Sequence, residues 1–216
     1  MLGLDPATLI SRMIVLIVAF TIHEFAHAWV ATRYGDTTPQ QNGRLTLNPL
    51  AHLDPMGSLM LLFVGFGWAK PVPVNPYILS RRSSAALMWV SLAGPLSNLG
   101  MAVLAAIPFR LGLASPAAAF LPSETFFPSL EKILYEFVTI NLLLMLFNLI
   151  PLAPLDGEKV AEYLLPPNLS RQYDQIRPYG PIILIVLVLV GPMVGIDIIS
   201  WIILPPLRAL FGLLVG

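Results

Sequence analysis

Apolar residues in this chain gather into runs too long and too uniform for the one-sided faces of a water-soluble fold. Met13 to Ile22 is interrupted only by Thr21, and the surrounding Leu9–Ala31 reads as a first membrane span. Ala85–Phe109 holds 25 positions without a charge, more than the ~20 residues that cross a bilayer. A third span is expected at about Ile133–Leu152. The final 36 residues are again apolar, and we read two short spans there, broken near Gly191-Pro192 and Asp197. Between these runs lie polar, turn-rich connections: residues 32–84, a link carrying Pro116, Pro122 and Pro128, and Asp156 to Tyr179. Leu59–Trp68 is apolar but too short for a helical span. The Ala-Lys-Pro-Val-Pro-Val at 69–74 next to it has the alternation and prolines of an edge strand. We expect an all-α polytopic integral membrane protein with about four to six transmembrane helices. A short re-entrant or β segment is expected near residues 59–75.

Composition strengthens that picture. The chain is 56% hydrophobic and 11% charged, against roughly 25% charged in soluble domains, and its mean hydropathy is +0.78. Formal net charge is zero, which gives no support for nucleic-acid binding. The absence of cysteine excludes disulfides and thiol chemistry. Met1–Ser11 lacks a basic region and a small-residue cleavage site, so the first span is expected to be retained. The connection 32–84 holds Arg33, Arg44, Lys70, Arg81 and Arg82, and 156–179 holds Lys159, Arg171 and Arg177. The link between the second and third spans has only Arg110 and Lys132 at its margins. The positive-inside rule then places the protein in the cell membrane with its N-terminus outside and the first and third connections in the cytosol. One domain over 1–216 is expected, with a core at about 9–160 and C-terminal transmembrane segments at 180–216.

One stretch of the first span breaks the pattern. His-Glu-Phe-Ala-His at 23–27 puts three ionisable groups where each costs roughly 2.5–3.5 kcal/mol, a cost that usually marks a functional cavity. His23 and His27 lie one helical turn apart on one face and can reach a single zinc ion. Glu24 beside them is placed to move a proton. A catalytic zinc takes three protein ligands. His52 is the only other histidine, and Asp156 lies where Pro151 and Pro154 end the third span. Spans one and three both run from outside to inside, so residues 23–27 and Asp156 meet at similar depth on the cytosolic side. Taken alone, Asp156-Gly157 is an ordinary turn.

His23-Glu-Phe-Ala-His27 together with Asn148…Leu155-Asp156-Gly157 and Gly94-Pro95-Leu96-Ser97-Asn98 resembles the site-2 protease family of intramembrane zinc metalloproteases. The resemblance runs from the first span to about residue 160. It implies one Zn2+ per chain held by His23, His27 and Asp156, with Glu24 as catalytic base. The stretch 67–74 is similar to the family's membrane-associated β segment, which makes Lys70, Val72 and Val74 candidates for a strand that holds substrate. No connection has room for the PDZ or CBS domains of larger relatives. Asn98, Asn148 and His52 are further candidates for contacting substrate, the transition state or a metal ligand. Helix packing, satisfaction of a broken helix and a surface loop are their respective alternatives. The expected function is an intramembrane zinc endopeptidase acting on transmembrane-helix proteins or peptides, in the lipid bilayer. A metal-binding transporter and a non-catalytic helix-binding scaffold are the competing classes. Transport needs no glutamate between two ligands.

Overall fold

A computed structural model describes residues 5–57, 60, 67–121 and 126–216. Helix α1 spans Pro6–Arg33: Asp5 caps it by accepting from the Thr8 N–H at 2.9 Å, and proline occupies the first turn, where no backbone donor is needed. The chain leaves α1 through Gly35 at φ +89°, a conformation that glycine adopts without strain. Short helices α2 (Thr38–Gln41) and α3 (Pro76–Arg82) lie in the first connection. Helix α4 covers Ala86–Arg110, with Pro95 and Pro108 inside it, and α5 covers Leu130–Asn148. Then come α6 (Gly157–Leu164), α7 (Pro167–Ile176) and α8 (Gly180–Ile185). A π-helical turn at Val186–Val190 joins α8 to α9 (Gly191–Met193). Pro192 has no N–H for the carbonyl four residues earlier, which accounts for the widened turn there. Helix α10, Ile198–Val215, closes the fold.

The protein is an all-α polytopic membrane protein. Among the described residues four helical runs are long and apolar enough to cross a bilayer: Pro6–Arg33, Ala86–Arg110, Pro167–Met193 and Ile198–Val215. The two C-terminal runs separate at residues 194–197, where Gly195 has φ +80° and Asp197 caps the Ser200 N–H at 3.0 Å. The expected third span forms as α5, a bundle centre rather than a lipid-facing element. It carries Glu131, Lys132 and Glu136 near its start, and the buried Glu136 pairs with Arg12 of α1 at 3.0 Å. The core joins Ala102, Ala105, Ala106 and Phe109 of α4 to Val138, Leu142 and Met145 of α5 and to Ile203 and Leu207 of α10. Alanines on α4 let the helix axes approach closely, the usual solution where lipid provides no hydrophobic drive for association. Outward positions are apolar as well: Leu104, Ile182, Trp201, Ile202 and Leu213 are all exposed.

The connection 32–84 is tied down by buried polar groups. Asp36, fully buried, accepts from the Thr38 and Asn75 N–H groups at 3.0 and 2.6 Å. Of the expected re-entrant or β segment near 59–75, residues 59 and 61–66 lie outside the described residues. Residues 67–75 run as extended chain with a single antiparallel bridge, Leu53 to Ala69, and a bond from the Lys70 N–H to the His52 carbonyl at 2.8 Å. No strand or hairpin ladder forms among the described residues. Pro71 and Pro73 remove two of the donors that a ladder would use.

Candidate metal centre

Three elements bring the candidate ligands together. The buried His23 and His27 stand on the inner face of α1, with their Nε2 atoms 3.0 Å apart. Asp156 Oδ2 lies 3.2 Å from His23 Nε2 and 3.3 Å from His27 Nε2. Asp156 reaches them because the chain folds back over the end of α5. At Gly157 a Cβ would come within 2.4 Å of the Leu149 and Ile150 carbonyl oxygens, so only glycine allows this return. Gly94 of α4 performs the matching service opposite. A Cβ there would sit 2.4 Å from His27 Nε2 and 2.6 Å from His23 Nε2.

The donor set fits a tetrahedral ion. Bonds of about 2.0–2.1 Å place the ligands of such an ion ~3.3 Å apart, the spacing found in this triangle. The protonation pattern agrees. His27 Nδ1 faces the Val90 carbonyl at 2.7 Å, which can only accept, so the ring proton sits on Nδ1. His23 Nδ1 faces Asn98 Oδ1 at 2.6 Å, giving the same tautomer. Both Nε2 lone pairs then point at each other and at Asp156 Oδ2, a buried atom with no hydrogen-bond partner. Three acceptors crowded within 3.3 Å in a buried place need a positive charge between them, which a metal cation or a proton supplies.

A cavity of about 510 Å³ opens onto this triangle. Glu24 lines it beside His23 and His27, as do Val72 and Val74 from the extended segment, Asn148 at the end of α5, and Leu184 and Ile185 of α8. Val72 and Val74 are half-buried while Pro71 and Pro73 are exposed, so the alternation read from the sequence is present. Lys70 points outward; its backbone, not its side chain, makes the contacts that fix the segment.

The remaining candidates separate. Asn98 is fully buried and holds His23, while Asn148 donates to the Leu144 carbonyl of its own helix at 3.0 Å and faces the cavity. His52 is not on a surface loop. It is fully buried, donates through Nε2 to the Thr46 carbonyl at 2.7 Å, and stands outside the metal-ligand group. Two residues went unremarked in the sequence. Arg44 was visible only as a loop charge, yet its guanidinium is buried, bonds the Ala51 and Lys70 carbonyls and lies 3.8 Å from Glu24. Burial pushes its pKa down and the Glu24 charge pushes it back up. Asn141 could have been found as an amide interrupting the apolar third span, two turns before Asn148 and on the same face.

Fold and site thus define a helical membrane protein with a metal-competent His-His-Asp group beside a glutamate. The chain belongs to peptidase family M50, the site-2 protease family, whose model matches residues 111–191, the part that contributes Asn148 and Asp156. It is 43% identical over 183 residues to "Putative zinc metalloprotease YwhC" of Bacillus subtilis (strain 168), covering 84% of this chain and 82% of that protein. It is also 33% identical over 180 residues to "Putative zinc metalloprotease Rip2" of Mycolicibacterium smegmatis, covering 80% of this chain and 64% of that relative. The Rip2 of Mycobacterium tuberculosis H37Rv is 32% identical over 182 residues, which cover 83% of this chain and 66% of the relative. No solved structure is significantly similar to the chain.

Proposed function

We propose that this protein is a zinc endopeptidase that hydrolyses peptide bonds in or beside the transmembrane segments of membrane proteins. The single observation that carries the reading is the triangle of the buried His23 and His27 with the half-buried Asp156, with Glu24 on the same cavity wall. Membership of peptidase family M50 and the zinc metalloprotease names of the relatives support it. His23, His27 and Asp156 would hold the ion, which when bound polarises a carbonyl and acidifies water. Glu24 takes the proton from the attacking water and delivers it to the leaving amine. The Arg44 guanidinium, which also bonds the Lys70 carbonyl, lies 3.8 Å from that carboxylate.

Substrate held in this cavity must be extended, because a helix hides its carbonyls in its own hydrogen bonds. The Val72 and Val74 N–H groups bond no other described residue, and strand addition along this segment is how an unwound substrate would be held. The site sits at the end of the bundle shared by the connections 32–84 and 149–179. By the positive-inside rule that end is cytosolic. The whole chain from 1 to 216 acts as one transmembrane domain in this reading.

The test is reversible metal removal. Purified protein in detergent, stripped with a chelator, should stop cleaving a single-span substrate and recover on adding one equivalent of Zn2+. Cleavage that survives stripping contradicts the proposal.

A further inference from the structure

The His23 imidazole is the end of a chain of side-chain hydrogen bonds that crosses three helices. Asn98 of α4 faces His23 Nδ1 with Oδ1 at 2.6 Å. Its Nδ2 donates to Asn141 Oδ1 of α5 at 2.8 Å. Asn141 Nδ2 in turn donates to the Phe137 carbonyl at 2.8 Å. Asn98 and Asn141 are both fully buried, so neither has water as an alternative partner.

The polarity of this chain runs one way. A backbone carbonyl can only accept, so the Asn141 amide must present its N–H to Phe137 and its oxygen to Asn98. Asn98 must then answer with its own N–H and turn its oxygen to His23. That oxygen requires a proton on His23 Nδ1, and the Nε2 lone pair is left for the metal side. Flipping either amide would place two acceptors, or two donors, within 2.8 Å of each other in a dry interior. His27 needs no such relay, because a backbone carbonyl, that of Val90, faces its Nδ1 directly.

We infer that Asn141 is a positioning residue that acts through Asn98 to fix the tautomer and ring orientation of His23, and so sets the metal affinity of a site it does not touch. This rests on the zinc-site reading above. The role differs from helix packing in a readable way: a residue that merely fills space between α4 and α5 would not govern which nitrogen of a histidine on α1 carries the proton.

The experiment follows histidine ring nitrogens by 15N NMR in the chelator-stripped full chain in detergent, a spectrum with only three histidines. The wild type should show His23 as a single tautomer protonated at Nδ1. Asn141→Leu, similar in shape and unable to accept, should give a mixture at His23 with His27 and His52 unchanged. Asn141→Asp, protonated so that its O–H donates to the Phe137 carbonyl, keeps an acceptor facing Asn98 and should retain the single tautomer. Chelator competition should show Zn2+ affinity lowered ~10–100-fold in Asn141→Leu, the usual scale for an outer-shell partner. Asn141→Ala removes the same acceptor and serves if Asn141→Leu does not fold. A single Nδ1-protonated His23 in Asn141→Leu or Asn141→Ala, with zinc affinity unchanged, overturns the inference. A wild type that binds no zinc overturns the proposed function instead, while the tautomer readout still decides the relay.

Discussion

At the scale of single residues the site is built as much by missing atoms as by ligands. His23 and His27 are what the sequence displays, but Gly94 is what lets them share a centre. Adding one methyl at Gly94 puts carbon 2.4–2.6 Å from both Nε2 atoms, well inside contact distance. Gly94→Ala should therefore lower bound zinc by roughly tenfold or more in the purified protein, the scale of a disturbed ligand shell, while leaving helix content unchanged by circular dichroism. Full zinc occupancy would show that the imidazoles can move aside. The two histidines were legible as candidates, because ionisable groups in an apolar helix are costly and therefore conspicuous. The contact of Gly94 with the rings was not. Glycine in a membrane helix is equally explained by close helix packing, and only coordinates show which neighbour fills the space. His52 misled for the opposite reason: a histidine among Asn48, Pro49, Asp54 and Pro55 reads as a solvent-facing loop, yet it is buried and pinned to Thr46.

At the scale of elements, the return of the chain after α5 decides whether Asp156 reaches α1. The prolines announced that the helix ends, but not the direction of the turn. That direction is set by Gly157 lying against the Leu149 and Ile150 carbonyls. Gly157→Ala should displace Asp156 and weaken zinc binding, measured by chelator competition, more than a substitution far from the site such as Ser170→Ala. The extended segment 69–74 is a separate case. Its alternation was readable, but two prolines and one bridge leave it short of a strand until something pairs with it. Val72→Pro removes one of the two N–H groups there that bond no other described residue. Cleavage of a single-span substrate should fall several-fold with zinc content unchanged; equal cleavage would mean the edge holds no substrate.

At the scale of the whole molecule, the all-α membrane character came directly from the apolar runs, whereas the ranking of the helices by burial did not. α5 carries charge near its start and sits at the centre, because interior positions can keep Glu136 paired with Arg12 and Asn141 bonded to Asn98, and lipid cannot. The orientation is an inference from charge alone, and the chain lends itself to a clean test because it has no cysteine. A single cysteine at the exposed Leu113 should react with a membrane-impermeant thiol reagent on intact cells. One at the exposed Gln41 should react only after permeabilisation. The reverse pattern would invert the topology and place the metal end outside.

In the proposed function it is the buried Glu24 beside three metal ligands that makes this membrane bundle a peptidase rather than a metal carrier. The decisive comparison is between the purified wild type and Glu24→Gln, with cleavage of a single-span substrate followed and bound zinc quantified in both. Zinc should be equal in the two forms, near one per chain, and cleavage should fall by at least ~10²-fold, the scale of a lost general base. Equal cleavage by the two forms would contradict the assignment of Glu24 and the peptidase reading with it.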